Sequence, residues 1–252
     1  MKKLRKSFIK KTLEVYYSQT ITSMKTTILQ EKENKFIYKI KIKLGNNDTK
    51  YLRLKYYDKE HRPFEWSYYK NNNFSCSFLP KFIFGSRLKN NNYLYFLEDF
   101  PKRYHITKIN KKRLNILNKG FNFFKNLKRE EENLNKFNDF KFHLKTQNKT
   151  SLFQYLNNIN IKKFSELTPN FFNNSIFLKR DGIIFLDLNS SIKHISGYTY
   201  WWLKENYSLS EISFEDYIIS TCEDLLNVKD INKIKKLSQK EYLYQKKYYE
   251  KK

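Results

Sequence analysis

The sequence predicts an α+β protein in which an antiparallel, β-rich first half precedes a mainly helical second half. Residues 36–44 alternate lysines with aliphatic residues, a period of two that is typical of a strand with one buried face. Residues 111–132 place apolar residues three and four positions apart, as an amphipathic helix does. Pro101 ends the last strand of the first half, so we expect the boundary there.

Composition indicates a globular protein with an unusually basic charge. Of the 252 residues, 40% are hydrophobic and 18% aromatic, which excludes a disordered chain. The formal net charge of +25 by itself suggests a nucleic-acid or anionic-membrane partner. We instead attribute this charge to drift of the overall amino-acid composition, because the chain as a whole is rich in Lys, Asn, Ile, Tyr and Phe and has only 5 Gly and 4 Pro. We therefore do not favour nucleic acid as the partner on charge alone.

Cysteine usage and hydropathy predict a cytoplasmic protein. Cys76 and Cys222 lie far apart without a C-x-x-C motif, which argues against a disulfide framework and a zinc site. No apolar run approaches the roughly 18 residues of a membrane span. The basic N-terminus also lacks the apolar core of a secretory signal.

The first half is expected to form a small antiparallel sheet with one helix, after a basic segment at residues 1–25. The bounds of its strands and helix follow from the alternation of apolar and polar residues, from turn residues and from Pro101. We predict strands at 27–30, 36–44, 50–57, 78–84 and 93–97, and a helix at 60–71.

The second half is expected to contain helices and one embedded hairpin. The helices are predicted at 111–132, 151–157, 213–228 and 228–249, with 137–144 ambiguous. A capping box, Ser213-x-x-Asp216, starts the third of these helices.

The hairpin carries the acids that suggest chemistry. Apolar strands at 176–178 and 183–186 are joined by an Asp-Gly turn, a strong hairpin signal. Asp187 follows the second strand, and a polar turn with Glu166 and Asn170 precedes the first. A carboxylate that leaves a buried strand opposite a polar turn is typical of a Mg²⁺-phosphate site.

The order of these elements and several short strings resemble the aminoglycoside phosphotransferase/choline kinase group of protein-kinase-like folds. The resemblance covers roughly residues 26–226, and within the group it is similar to bacterial lipopolysaccharide core sugar kinases. It implies a two-lobed protein, with a nucleotide-binding lobe at 26–101 and a helical lobe at 102–252. It also implies ATP and Mg²⁺ as cofactors and phosphoryl transfer to a hydroxyl of a small molecule or sugar.

In the first lobe the resemblance implies a phosphate-binding lysine and its partner. The lysine matches Lys55 in Tyr-Leu-Arg-Leu-Lys, with Arg53 as the rival on the same face. The carboxylate that fixes it matches Glu65, with Glu60 as the alternative. The hinge whose backbone would bind adenine matches Leu97–Asp99. The loop over the phosphates matches residues 33–40, but it lacks the glycines of the family.

In the second lobe the resemblance implies a catalytic loop and a metal-binding acid. Asp187 matches the metal-binding Asp. Aligned on Leu167-Thr168-Pro169, Glu166 falls at the catalytic Asp, and Asn170 or an asparagine just after it falls at the metal-binding Asn. Counting back from the hairpin instead places Asn170 at the catalytic Asp and Ser175 at the Asn. We prefer the first alignment because it retains the Leu-Thr-Pro string.

Two functions therefore stay open, beside the nucleic-acid alternative. An active protein would phosphorylate a hydroxyl, and its basic surface would suit an anionic acceptor such as a sugar on a membrane lipid at the inner membrane face. The missing glycines and the altered catalytic loop fit a catalytically impaired member that serves as a binding or scaffold module.

Overall fold

The computed structural model describes most of the chain in two compact units. By their internal contacts, unit 1 comprises Met1–Tyr104 and unit 2 His105–Lys252, whereas the sequence placed the boundary at Pro101. The residues that the structure describes are 2–71, 77–101, 104–127, 135–146, 150–158, 165–169, 176–179, 182–186, 188, 191–221 and 228–250.

Unit 1 is a sheet with a helix on either side of it. Its strands are antiparallel throughout and lie in the order β1-β2-β3-β5-β4. The predicted α+β class and the antiparallel first sheet are confirmed. The elements in chain order are α1 (Lys6–Tyr17), β1 (Ile21–Lys32), β2 (Lys35–Leu44), β3 (Thr49–Tyr57), α2 (Phe64–Asn71), β4 (Phe82–Arg87) and β5 (Tyr93–Glu98).

Alternation along the strands separates an apolar face from a basic one. Ile40 and Ile42 are buried, whereas Lys41 and Lys43 between and after them are exposed. Side chains that alternate along a strand point to opposite faces of the sheet. The even-numbered residues of β2, from Phe36 to Leu44, therefore form the apolar face, and Lys39, Lys41 and Lys43 lie on the other face together with the buried Ile37.

Helix α1 covers the apolar face. Ile9 and Leu13 are buried in the same cluster as Ile40, Leu54 and Phe96 of the sheet. The segment that we predicted as a basic N-terminal one, residues 1–25, thus supplies Ile9, Leu13 and Ile21 to the core of unit 1. The sequence of this segment does not indicate which surface the apolar side of α1 covers.

Helix α2 covers part of the opposite face. The Trp66 ring lies 5.6 Å from the Tyr95 ring and 5.8 Å from the Tyr93 ring, measured between centroids. A Cβ at Gly85 would lie 2.6 Å from Trp66 Cζ3. Glycine at this position therefore allows the helix to approach the sheet closely.

Two predicted elements begin later than expected, each next to a proline. Helix α2 starts at Phe64 rather than at residue 60, because the residue before Pro63 is disfavoured in helical conformation. Strand β4 starts at Phe82 rather than at residue 78, because Pro80 has no N–H for the ladder.

Unit 2 consists of helices and short strand pairs. The predicted helices at 151–157 and 228–249 are found, and the ambiguous segment 137–144 is helical. The predicted helices at 111–132 and 213–228 extend into residues outside the described part. The elements are β6 (Lys108–Ile109), α3 (Lys111–Lys125), α4 (Asn135–Thr146), α5 (Thr150–Asn158), β7 (Ser165–Pro169), β8 (Ile176–Lys179), β9 (Gly182–Phe185), β10 (Ser191–Ile195), α6 (Tyr198–Asn206), β11 (Ser208–Leu209), α7 (Phe214–Thr221) and α8 (Val228–Glu250).

The hairpin prediction is confirmed, but the segment before it differs from the prediction. Strands β8 and β9 pair antiparallel. Residues 165–169, predicted as part of a polar turn, form strand β7 and pair antiparallel with β10. The distant strand β10 supplies the partner for these backbone groups, and local turn residues in the sequence could not reveal it.

A buried carboxylate fastens the last helix to strand β10. Glu241 of α8 is fully buried, and its Oε1 lies 3.0 Å from His194 Nδ1. Its Oε2 accepts the Ile195 N–H at 2.8 Å. These bonds place α8 against β10 within unit 2. No described helix of the chain is long and apolar enough to cross a membrane.

Candidate functional site

A buried ion pair joins the third strand of unit 1 to the helix that follows it. Lys55 Nζ on β3 lies 2.6 Å from Glu65 Oε2 on α2. Both side chains are 0% exposed. The sequence proposed Glu65 and Glu60 as partners, and the structure brings only Glu65 to Lys55, since Glu60 is exposed beside Asp58.

The local sequence explains how Lys55 and Glu65 meet. Lys55 alternates with Leu54 and Tyr56, which point into the apolar cluster, so its own side chain points to the α2 face. Glu65 lies in the first turn of α2, where the helix dipole favours a carboxylate. The helix therefore presents an anion directly to the strand lysine.

A third side chain, which the sequence did not suggest, completes this pair. Tyr95 of β5 donates its hydroxyl to Glu65 Oε2 at 2.9 Å. Tyr95 is also the register partner of Lys55 on the adjacent strand. The strand register between residues 55 and 95 is the information that could have identified it.

A second ionic group lies next along the same face. Arg53, two residues before Lys55, donates from Nη2 to Asp99 Oδ1 at 3.1 Å. Lys39 Nζ, on the neighbouring strand and in register with Arg53, lies 3.3 Å from Asp99 Oδ2. The Asp99 side chain is 2% exposed and the Arg53 side chain 11%. Arg53 is thus engaged by Asp99, and Lys55 is the lysine held by a helix carboxylate.

The backbone donors of the predicted adenine-binding segment are used within the sheet. The Glu98 N–H donates to the Lys81 carbonyl at 2.8 Å, and the Asp99 N–H donates to the Tyr51 carbonyl at 2.9 Å. Leu97 is buried and lies between β3 and β4, in register with Arg53. An adenine bound at this segment would need partners other than the amides of Glu98 and Asp99.

The loop expected to cover phosphates is a short turn. Strands β1 and β2 are connected by Glu33 and Asn34 alone, and Lys32 and Lys35 pair directly across the turn. The Asn34 carbonyl accepts the Asp58 N–H at 3.0 Å. Without a glycine in this turn, close approach of backbone N–H groups to phosphate oxygens is restricted.

The site residues predicted in the second half lie mostly outside the described residues. Asn170 and Asp187 are both outside them. Glu166 lies in β7, in register with His194 of β10. Leu186 and Leu188, on either side of Asp187, are buried. The described part of the chain contains no cluster of three His, Cys, Asp or Glu side chains that could hold a metal ion.

Comparison of the sequence with protein-family models and with curated proteins gives no match in either case.

Proposed function

We propose that this protein is an ATP- and Mg²⁺-dependent phosphotransferase with a protein-kinase-like two-lobed fold. The observation that carries the proposal is the Lys55–Glu65 ion pair at 2.6 Å. In protein kinases a lysine on the third strand pairs with a glutamate on the following helix, and this pair must be in place for phosphoryl transfer. The same element order, strand β3 followed directly by helix α2, supports the proposal here.

Each proposed role follows from the charge that phosphoryl transfer develops. Lys55 would neutralise phosphate oxygens of ATP, and Glu65 would fix the position of Lys55. Asp187 and Asn170 would hold Mg²⁺, since that cation prefers oxygen ligands. Glu166, if it occupies the position of the base, would accept the proton of the acceptor hydroxyl.

The acceptor we propose is a hydroxyl on a small molecule or sugar, such as a lipopolysaccharide core sugar. A net charge of +25 would suit an anionic acceptor. A sugar carried by an anionic membrane lipid would place a cytoplasmic protein at the inner membrane face.

A second candidate is a catalytically impaired kinase-like module that binds a ligand without phosphoryl transfer. Glu166 lies within strand β7 rather than in a loop, which favours the alignment that puts Asn170 at the position of the base. An asparagine cannot accept the hydroxyl proton. The turn at Glu33–Asn34, which lacks the glycines of the family, also favours this candidate.

Thermal melting with Mg-ATP, followed by a turnover assay, tests both candidates. We expect Mg-ATP to raise the melting temperature of the parent, and to raise it less in Asp187→Ala, since a ligand that binds only the folded state stabilises it. ATP consumption with a panel of sugars would support the phosphotransferase. A melting shift without turnover would support the impaired module, and no shift in the parent would contradict the phosphotransferase and any binding of nucleotide by the module.

A further inference from the structure

Part of the basic face of the unit 1 sheet is left uncovered by α2. Residues directly paired across antiparallel strands have their side chains on the same face. One row across strands β1, β2 and β3 consists of Lys25, Lys41 and Tyr51. The next row consists of Ser23, Lys43 and Thr49. We call this surface the lysine face; it consists of Ser23, Lys25, Lys41, Lys43, Thr49 and Tyr51.

The side chains of the lysine face are accessible and cationic. All of its residues are exposed except Tyr51, which is half-buried. Within the described residues, no carboxylate lies at ion-pair distance from Lys25, Lys41 or Lys43. Asp99, whose N–H donates to the Tyr51 carbonyl at 2.9 Å, is engaged by Arg53 and Lys39. The positive charge of this surface is therefore not compensated locally.

The arrangement is unfavourable for the isolated sheet. Lys25 and Lys41 are directly opposite each other in the register, and like charges in such positions destabilise a sheet. Lys43 lies two residues further along the same face of β2, so the three lysines repel one another. A bound polyanion would remove this repulsion.

The chemistry of the neighbouring side chains distinguishes between polyanions. Ser23 and Thr49 carry hydroxyls, which together with lysines donate hydrogen bonds to phosphates. Tyr51 supplies an aromatic ring on the same face, and Lys41 Nζ lies 5.6 Å from the centroid of that ring. The lysine face has no aliphatic side chain that could insert into a bilayer, whereas surface-binding membrane elements combine cations with such residues.

We propose that the lysine face binds single-stranded nucleic acid. Lys25, Lys41 and Lys43 contact successive phosphates, and Tyr51 stacks a base, the combination by which sequence-independent single-strand binders work. The proposal does not rest on the phosphotransferase activity, because none of these residues belongs to the Lys55–Glu65 site.

Binding of a fluorescein-labelled oligouridylate of about 20 nucleotides, followed by anisotropy between about 50 and 200 mM KCl, tests the proposal. The test variant is Lys25→Gln/Lys41→Gln/Lys43→Gln. The matched control is Lys11→Gln/Lys112→Gln/Lys119→Gln, which removes the same charge from exposed positions on α1 and α3. Thermal melting of both variants checks that each is folded.

We expect the test variant to bind about tenfold more weakly at about 100 mM KCl. Its slope of log K against log salt should be shallower by about 2, since each phosphate contact of a single strand contributes about 0.7. The control should stay within about twofold of the parent, with an unchanged slope. Tyr51→Leu should weaken binding about tenfold without changing the slope, because stacking is not ionic.

Acetylation of lysines in the wild-type protein gives a measurement that needs no variant. The oligonucleotide should protect Lys25, Lys41 and Lys43 and leave Lys112 reactive. Equal weakening in the test and control variants, or no selective protection, would overturn the proposal. So would lysine-face binding to phosphatidylserine vesicles with no binding to the oligonucleotide.

Discussion

Lys55 Nζ lies 2.6 Å from Glu65 Oε2, and neither side chain has solvent-exposed surface. Removing one partner of such a pair leaves a buried charge without its counterion, which typically costs about 3–5 kcal/mol. Replacing both by apolar residues of similar volume removes that penalty. The pair is therefore a strong constraint on the fold of unit 1.

The first prediction is strong coupling between Lys55→Met and Glu65→Leu. Each single variant should lower the free energy of unfolding by about 3 kcal/mol or more, and the double variant should be more stable than the sum of the two losses implies. Urea denaturation of the four proteins measures this coupling. Losses that add to within about 0.5 kcal/mol would show that the two groups do not interact.

The second prediction concerns the close approach of α2 to the sheet at Gly85. A Cβ there would lie 2.6 Å from Trp66 Cζ3 and 2.9 Å from the Leu94 carbonyl oxygen. Gly85→Ala should therefore destabilise the protein by about 1–3 kcal/mol in thermal or urea unfolding. Gly45→Ala is the control, since its Cβ would meet only the Thr20 oxygen at 3.7 Å, and equal effects of the two substitutions would refute the packing described here.

The third prediction is an acid-sensitive helix start at α7. Asp216 Oδ2 accepts the Ser213 N–H at 3.1 Å and the Ser213 hydroxyl at 3.0 Å. The hydrogen bond from the Ser213 backbone N–H has the larger effect and the bond from its hydroxyl the smaller, and together they hold the pKa of Asp216 below its usual value. A depressed pKa means that this contribution to stability is present above the unfolded pKa, about 3.9, and is lost as the pH falls through the folded pKa.

Asp216→Ala should thus lower the melting temperature near neutral pH, and the difference from the parent should shrink as the pH falls below about 4. In a Ser213→Ala background, Asp216→Ala should cost less, because the hydroxyl that donates to Asp216 is already gone. A difference that stays constant from neutral to acid pH would contradict the cap.

The fourth prediction concerns the opposed lysines of the sheet. Lys25→Glu should replace a repulsion across the register from Lys41 with an attraction, and should raise stability by about 0.5 kcal/mol. Lys25→Gln should give a smaller gain, since it only removes the repulsion. Thermal melting at low salt measures both, and unchanged or lower stability in both variants would contradict the register.

The local features of unit 1 could be predicted because they depend on neighbours in sequence. The alternation from Phe36 to Leu44 predicted both the strand and its buried face. The pairing of Lys55 with Glu65 came from the family resemblance, which left Glu60 as an alternative, and the structure brings Glu65 to Lys55. Tyr95 and Lys39 were missed as partners in the site because their positions depend on strand register. No pattern around either residue records which strand lies beside it.

Long-range pairing likewise limited the prediction of unit 2. The Asp-Gly turn correctly indicated the hairpin of β8 and β9. Ser165–Pro169 read as a turn because Ser, Thr and Pro are common there, yet β10 pairs with it as a strand. In the function we propose, this difference bears on which residue would be aligned with the base.

Isothermal titration of the protein with Mg-ATP tests the central claim that Lys55 belongs to a nucleotide-phosphate site. The parent should bind, and Lys55→Met should bind at least about tenfold more weakly at a temperature at which it is folded. Lys112→Gln, an exposed lysine on α3, should bind as the parent does. Absence of binding to the parent at millimolar Mg-ATP, or equal affinity in Lys55→Met, would contradict the claim.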